Sequence, residues 1–288
     1  MPRLSQRFAR TLLHAYPFRR GQGRLIDRTR LGRMAFDTPI IDVGTQHGFR
    51  MRVNPNDLIG RHLYYTGQFD RTIVDVIHRY AKPGDRILDI GANIGYVSCC
   101  LLSAVPDSIV VAIEPQQQVY EMLKQNVETV APDRVRVIRA AISATCGTGR
   151  MVAHAANTGG GHLVSDGQTG DASVEQVELI DGRTLMARAG VDRVNMIKID
   201  VEGHELPVLR GLRSIIDEHR PRLVLFECFD ELTESHGISQ FWQSVGYDVA
   251  GIRKSLLSWT LVPLERLRAE GRRAHDYVAR PKDASASN

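Results

Sequence analysis

The sequence lacks long apolar segments and paired cysteines. No apolar run is long enough to span a bilayer, and the hydrophobic core of a secretory signal is absent. The four cysteines include no CxxC pair, and Cys99, Cys100 and Cys228 lie in predicted apolar elements. Such cysteines are typical of reduced thiols that pack as small hydrophobic side chains. We therefore expect a cytoplasmic protein.

Residues 1–26 contain no aspartate or glutamate, although six arginines lie there. In this arm, Phe8, Leu12 and Ala15 recur at helical spacing, which predicts a helix over Ser5–Ala15. The helix could rest on an anionic membrane or reach toward a lipid-linked substrate. It could also be a cleaved organelle presequence, or a leader that lies outside the core. We favour the interpretation of the arm as a leader outside the core, and peripheral contact with a membrane stays an alternative.

From Arg86 onward, short apolar runs alternate with helix-like stretches. This alternation predicts an α/β fold with a mostly parallel sheet and helices on both faces. Residues 145–182 break the rhythm with glycine-rich turns, which predicts an insertion of loops and edge strands. The predicted strands are Arg86–Ile90, Ile109–Ile113, Val135–Ile142, Val194–Val201, Arg222–Cys228 and Tyr247–Ile252, with a last one at Tyr277–Ala279.

The chain has 288 residues, of which 43% are hydrophobic and 24% charged, as is typical of a soluble globular protein. This length suits one large α/β domain with additions, or two small domains. We expect residues 1–60 to form an N-terminal arm and a small β cap. Residues 61–283 should form the main domain, and residues 284–288 should be a frayed tail.

A glycine turn follows the first strand of the alternating region. The strand Arg86–Ile90 runs into Gly91-Ala-Asn93-Ile-Gly95, and a helix-like stretch follows. Glycines let the backbone approach a ligand, and the helix N-terminus offers free N–H groups, so this pattern is typical of nucleotide or nucleoside pockets. Asn93 occupies the place of the second glycine in the dinucleotide fingerprint, which argues against NAD or FAD.

Two carboxylates flank this turn. Asp89 lies just before it, where a carboxylate could meet a cationic or amino group of the ligand. Glu114 ends the next strand, about 20 residues further on, where an acidic residue binds ribose hydroxyls. A ligand with adenosine and an amino group but no pyrophosphate satisfies all these observations. The sequence therefore predicts binding of S-adenosylmethionine.

A second polar group ends the fourth predicted strand, in MIKIDVEGHE at residues 196–205. Because side chains alternate along a strand, Lys198, Asp200 and Glu202 should share one face. Lys198 could be catalytic, or it could form a structural ion pair with Asp89 on the neighbouring strand. His204 could pack at the start of the next helix or act as a general base.

Asp200 is the candidate proton acceptor or metal ligand, because it should lie nearest to the pocket. Glu227 ends the next strand, so its carboxylate should lie beside that of Asp200. Together with His204, these carboxylates could form an oxygen-rich Mg²⁺ site. Alternatively, they only form hydrogen bonds to the acceptor.

Three segments resemble the FkbM-type S-adenosylmethionine-dependent methyltransferases: ILDIGANIGYVS, AIEP and IKIDVEGHELPVLRG. The similarity runs from about Tyr65 to about Pro281. It implies a class I, Rossmann-like fold with a seven-stranded sheet that has one antiparallel strand. It also implies methyl transfer to a hydroxyl of a sugar, glycolipid or polyketide. By this resemblance, the cofactor-binding residues are Gly91, Asn93, Gly95, Glu114 (on the ribose) and Ala141.

The candidates for contact with such a sugar are Glu202, His62 and Tyr65. The acceptor should be a small molecule, a glycan or a lipid-linked compound. A nicotinamide-dependent oxidoreductase is disfavoured by Asn93, whereas a non-catalytic nucleoside-binding module stays open. The basic arm also suggests a nucleic-acid methyltransferase as a possible function. However, the base-flipping motif and aromatic residues among the arginines are missing, so we expect no nucleic-acid partner.

Overall fold

The computed structural model describes residues 4–14, 21–30, 32–154, 157–164, 173–255 and 258–282. The predicted tail, residues 284–288, lies outside these described residues. The first elements are α1 (Leu4–His14), α2 (Gln22–Arg28), β1 (Ile41–Gly44), β2 (Arg50–Val53), α3 (Leu58–Thr66) and α4 (Arg71–Tyr80).

The middle of the chain alternates strands and helices before a run of strands. These elements are β3 (Arg86–Ile90), α5 (Tyr96–Ala104), β4 (Ile109–Ile113), α6 (Gln117–Val130), β5 (Val135–Ile138), β6 (Ala141–Ile142), β7 (Gly147–His154), β8 (Asn157–Val164) and β9 (Ser173–Ile180). The remaining elements are α7 (Gly182–Ala189), β10 (Met196–Ile199), α8 (Glu205–Gly211), α9 (Arg213–His219), β11 (Leu223–Glu227), α10 (Gly237–Ser244), β12 (Tyr247–Lys254), β13 (Trp259–Pro263), α11 (Leu264–Ala269) and β14 (Asp276–Pro281).

The main sheet of the described residues has eight strands, in the order β13-β12-β14-β11-β10-β3-β4-β5. Five consecutive strands pair in parallel, namely β11, β10, β3, β4 and β5. In contrast, β14 is antiparallel to both β11 and β12. The mostly parallel α/β sheet is therefore confirmed. The expected seven strands with one antiparallel strand are wrong, because β13 pairs antiparallel with β12 and adds an eighth strand. This strand ends at Pro263, which is tolerated at a sheet edge.

Helices cover both faces of this sheet, as predicted. Along β3, Ile87 belongs to an apolar cluster with α4, α5 and α6, whereas Leu88 belongs to a second cluster with α7 to α10. Val110 and Val111 of β4 divide between the two clusters in the same way. Because both sides of each central strand are buried, the strands consist of continuous apolar runs.

The predicted third strand, Val135–Ile142, is wrong in extent. Strand β5 ends at Ile138, and β6 belongs to a second sheet with the order β6-β9-β7-β8. Strand β7 lies between β8 and β9 and is antiparallel to both. Most of the glycine-rich insertion is thus a sheet rather than loops, and the chain bends at Arg139 and Ala140 to reach it.

The N-terminal part packs against the main domain. The hairpin β1–β2 lies within residues 1–60, and Asn126 of α6 fixes it by accepting a hydrogen bond from the Arg52 N–H (2.7 Å) and donating one to the Arg52 carbonyl (3.0 Å). Helix α1 lies one residue earlier than predicted, and its Ala9 is buried in the cluster that includes Leu63 of α3. Among the described residues, no helix is long and apolar enough to cross a membrane.

Candidate active site

A cavity of about 290 Å³ opens at the carboxyl ends of the parallel strands. In open α/β sheets this edge is where ligands bind, because the loops after the strands converge there. The cavity extends from the glycine turn to the strand ends on the other side of β10. The predicted site residues that line it are Gly91, Asn93, Glu114, Ala141, Lys198, Asp200, Glu202, His204 and Glu227.

The glycines of the turn make room for protein rather than for a ligand. Gly91 has a φ of +70°, and a Cβ there would lie 1.8 Å from the Asp200 carbonyl oxygen. Gly95 has a φ of +87°, and its Cβ would lie 2.7 Å from Leu123 Cδ1 of α6. Gly95 does not line the cavity, and its contact with the cofactor stays a prediction. Only residues without a side chain permit these two close approaches.

Glu114 holds the turn in place. Its carboxylate oxygens accept hydrogen bonds from the backbone N–H groups of Asn93 and Gln116, each at 3.1 Å. Burial raises the pKa of Glu114 to about 7, although the two backbone N–H groups oppose this shift. Asn93 adopts a left-handed conformation with a φ of 50° and follows Gly91 and Ala92, whose N–H groups donate to the Ile113 carbonyl. The end of β4 thus shapes the turn after β3.

Lys198 connects the turn to the strand end beside it. Its Nζ lies 3.2 Å from Asp89 Oδ1 and 3.4 Å from Asp200 Oδ2, and it donates a hydrogen bond to the Gly91 carbonyl at 2.8 Å. Asp89 also accepts a hydrogen bond from Ser98 Oγ at 2.6 Å. Burial lowers the pKa of Lys198, but the two carboxylates outweigh it and hold the pKa above its usual value.

The ion pair between Lys198 and Asp89 is therefore present. The two residues face each other in the parallel register of β10 and β3, which explains the contact. Asp89 is completely buried and does not line the cavity. Lys198 lies against the Asp89 carboxylate, and the contact of Asp89 with an amino group of the ligand stays a prediction. The predicted shared face of Lys198 and Glu202 fails, because β10 ends at Ile199 and Glu202 turns into a left-handed conformation.

Further carboxylates line the part of the cavity beyond Asp200. Glu227 lies opposite Asp276 in the antiparallel register of β11 and β14. Lys254 Nζ lies 2.5 Å from Asp276 Oδ2 and 3.9 Å from Asp70 Oδ1. Burial raises the pKa of Asp70 to about 7. Burial and then the charge of Asp200 and Asp276 raise the pKa of Glu227 to about 8. At neutral pH this region therefore binds protons that isolated carboxylates would release.

Two of these residues, Asp70 and Asp276, were not among the predicted site residues. Asp70 directly precedes α4, its side chain makes no capping hydrogen bond, and it lines the cavity. Asp276 begins the last strand. Its position follows only from the antiparallel direction of β14, which brings the start of that strand to the carboxyl edge.

His204 lies at the start of α8 and lines the cavity. Its Nε2 is buried and has no hydrogen-bond partner among the described residues. Burial lowers the pKa of His204, which favours the neutral imidazole. Glu202 lines the same region, and the helix start itself is held by Glu205, whose Oε1 accepts a hydrogen bond from the Gly203 N–H at 2.9 Å.

His62 and Tyr65 do not line this cavity, and their contact with the acceptor stays a prediction. His62 Nε2 lies 3.0 Å from Asp27 Oδ1. Tyr65 is completely buried, and its ring packs edge-on against those of Phe36 and Tyr64. Aromatic residues ahead of a helix are core residues here.

The proposed magnesium site has no support in the described part of the chain, where no three histidine, cysteine, aspartate or glutamate side chains are placed to hold a metal ion. Asp200 faces the ammonium of Lys198, and Asp276 faces that of Lys254. Cations already balance two carboxylates that a divalent ion would need.

Comparison with known proteins gives consistent matches. Residues 89–250 match the family model described as the methyltransferase FkbM domain. The hexuronic acid methyltransferase AglP of Haloferax volcanii is 28% identical over 193 residues, which cover 67% of this chain and 76% of that protein. Methyltransferase 1 of Beauveria bassiana is 29% identical over 189 residues, which cover 57% of this chain and 72% of that protein.

Proposed function

Because the chain belongs to the FkbM methyltransferase family, we propose that it transfers a methyl group from S-adenosylmethionine to a hydroxyl group of a sugar or related natural product. One observation carries this proposal. A single cavity joins the turn at Gly91 and Glu114 to the polar edge at Asp200 and His204. A methyl donor and an acceptor can therefore lie side by side in it, which is the main requirement of an in-line transfer.

The donor half of the cavity suits a nucleoside. Glu114 places a buried carboxylate at the wall, and the apolar side chains of Ile94, Ile142 and Met151 offer surfaces for a base. Asn93 and Ala141 line the same half, as the family resemblance implies. The carboxylates beyond it favour a positively charged ligand over one with phosphates. S-adenosylmethionine would supply an electrophilic methyl group on its sulfonium.

The acceptor half must remove a proton. A sugar hydroxyl is too weak an acid to ionise at neutral pH, so a base has to accept its proton as the new carbon–oxygen bond forms. We assign this role to a carboxylate oxygen of Asp200, which lines the cavity and whose side chain is partly open to it. Lys198 acts as a positioning residue, because its Nζ contacts both Asp200 and the Gly91 carbonyl. His204 and Glu227 are placed to hold the acceptor.

The acceptor class is inferred from chemistry and from similarity. AglP is named a hexuronic acid methyltransferase, which supports a sugar as the acceptor here. We expect a small glycan, a lipid-linked glycan or a polyketide-type compound with a free hydroxyl. A nucleic-acid acceptor is disfavoured, because Asp200, Glu202 and Asp276 line the acceptor half and their carboxylates would repel phosphates.

Calorimetry tests the donor. S-adenosylmethionine and S-adenosylhomocysteine should bind, and NADH should not. Binding of NADH alone would contradict the proposal. Release of S-adenosylhomocysteine with a panel of sugars and glycolipids then tests the transfer, and donor binding without any transfer would favour a non-catalytic binding module.

The variant Asp200→Asn tests the assignment of the base. We expect donor affinity close to that of the wild type and turnover lowered at least ~100-fold, the usual scale for a lost acid–base group. Asp192→Asn is the matched control, because Asp192 is exposed and lies away from the cavity. Turnover of Asp200→Asn equal to that of this control would remove Asp200 from the mechanism.

A further inference from the structure

Helix α1 has apolar side chains on two opposite sides. On the inner side, Ala9 is buried, and Gln6 is buried with its Nε2 donating to the carbonyls of Met34 (3.2 Å) and Ala35 (3.3 Å). This side packs on α3. On the outer side, Leu4, Phe8 and Leu12 are 85%, 65% and 56% exposed. The helix therefore has an apolar side that the described part of the fold leaves uncovered.

These three outer residues form a stripe rather than scattered exposure. They are four positions apart, and at 3.6 residues per turn they lie within about 80° of one another around the helix. Single exposed apolar residues need no explanation, but a contiguous row does. The described residues contain six exposed large hydrophobic side chains, and half of them belong to this one helix of 11 residues. We call Leu4, Phe8 and Leu12 the outer stripe.

Arginines accompany the outer stripe. Residues 1–26 contain six arginines and no acidic residue. Arg7 lies beside the stripe on the helix and is exposed. Arg10 lies further round, and its guanidinium is 5.3 Å from the centre of the Tyr64 ring on α3. Helix α1 itself thus contains basic but no acidic side chains, although the whole chain has a net charge of only +4.

We propose that the outer stripe and the arginines around it dock α1 onto the surface of an anionic lipid bilayer. A helix in the interface places its apolar side at the acyl chains and its cations at the headgroups, and both requirements are met here. A second copy of the chain fits less well, because a symmetric contact would bring two sets of arginines together. Nucleic acid fits less well too, because its phosphates would bind the arginines but leave the apolar outer stripe exposed to water.

The docked helix is linked to the candidate active site through α3. Helix α3 contacts α1, and Leu58 and Ile59 at the start of α3 line the main cavity. Docking through α1 would therefore tether the domain that carries this cavity to the bilayer. This inference concerns binding to a surface and does not depend on methyl transfer.

Vesicle sedimentation with the full chain tests the docking. We expect binding to vesicles that contain phosphatidylglycerol, weak binding to phosphatidylcholine alone, and loss of binding as salt shortens the Debye length. The double variant Phe8→Ser with Leu12→Ser should lower the partition coefficient about 100-fold, at about tenfold per side chain removed from the apolar layer. The matched control is Ile40→Ser, which removes an exposed isoleucine that lies off α1 and should change nothing.

Both altered side chains are exposed, so the double variant should fold, and an unchanged far-ultraviolet spectrum and donor affinity would confirm it. Equal vesicle binding by the double variant and the wild type would overturn the proposal. So would a wild-type dimer that the double variant converts to a monomer without any vesicle binding, which would make a second copy the occupant. Tight binding of an RNA duplex that the double variant retains, without vesicle binding, would also overturn it.

Discussion

Replacing Lys198 with methionine should lower the free energy of unfolding by about 3–5 kcal/mol, the usual cost of removing one partner of a buried ion pair. Asp89 is completely buried, and Lys198 Nζ lies 3.2 Å from its Oδ1. At an effective dielectric constant of about 20, two unit charges at that distance attract by about 5 kcal/mol. Methionine fills similar space but leaves the Asp89 charge without a cation, so most of this attraction is lost.

The double variant Lys198→Met with Asp89→Asn should recover much of the loss. Asparagine is uncharged, and its side-chain oxygen can still accept the hydrogen bond from Ser98 Oγ. We expect the double variant to be within about 2 kcal/mol of the wild type, because replacing both partners of a buried pair avoids the unpaired charge. The coupling between the two positions should therefore be at least about 1 kcal/mol.

Urea unfolding at neutral pH measures the free energies of the wild type, Lys198→Met, Asp89→Asn and the double variant. Lys124→Met is the matched control, because Lys124 is exposed on α6. A cost for Lys198→Met no larger than that of the control would refute the structural role. A double variant no more stable than the single one would also refute it. Either result would return Lys198 to the list of catalytic candidates, whereas the expected result establishes its structural role.

Three further outcomes are expected. The Glu227 pKa of about 8 exceeds the value of 4.5 for an isolated glutamate. The folded state therefore keeps a proton that the unfolded chain releases. The stability that this bound proton contributes is lost as pH rises through 8. Glu227→Gln should thus gain about 1–2 kcal/mol over the wild type between pH 5 and pH 9 in urea titrations, after allowance for solvent screening, and no pH-dependent gain over Glu234→Gln would contradict this. Gly91→Ala should lower the free energy of unfolding by about 3 kcal/mol and abolish donor binding in calorimetry, because Gly91 has a positive φ and lies against the Asp200 carbonyl. Gly190→Ala should lower it by about half as much, because Gly190 has a positive φ but open space around it. Equal losses in the two variants would contradict the close approach at Gly91. Excess EDTA and added Mg²⁺ should leave turnover unchanged, and an EDTA loss that Mg²⁺ restores would reinstate a metal site.

The sequence was informative where a local pattern determines the structure. Apolar runs that alternate with helices predicted the parallel sheet, and the expected order of its strands correctly placed Lys198 beside Asp89. The turn from Gly91 to Gly95 was located correctly, but its glycines serve contacts with Asp200 and Leu123. Those contacts join segments more than 25 residues apart, so the turn sequence alone does not contain them.

Other features depend on long-range pairing, which one sequence shows poorly. Strand β13 lies at the sheet edge, buries only Val262 and has no strong apolar run. Asp276 enters the cavity only because β14 runs antiparallel. The second sheet forms from glycine-rich strands that resemble loops. In each case a partner strand elsewhere in the chain decides the conformation.

Gly91 and Lys198 together connect the two halves of the cavity. The missing side chain of Gly91 admits the Asp200 carbonyl, and Lys198 connects the Gly91 carbonyl to the Asp200 carboxylate. A ligand that shifts the turn must therefore shift the carboxylate as well. Since such coupling is reciprocal, occupancy of the donor half should change the affinity for the acceptor by the same factor as the reverse. A substitution that disrupts this contact should accordingly weaken the recognition of donor and acceptor together.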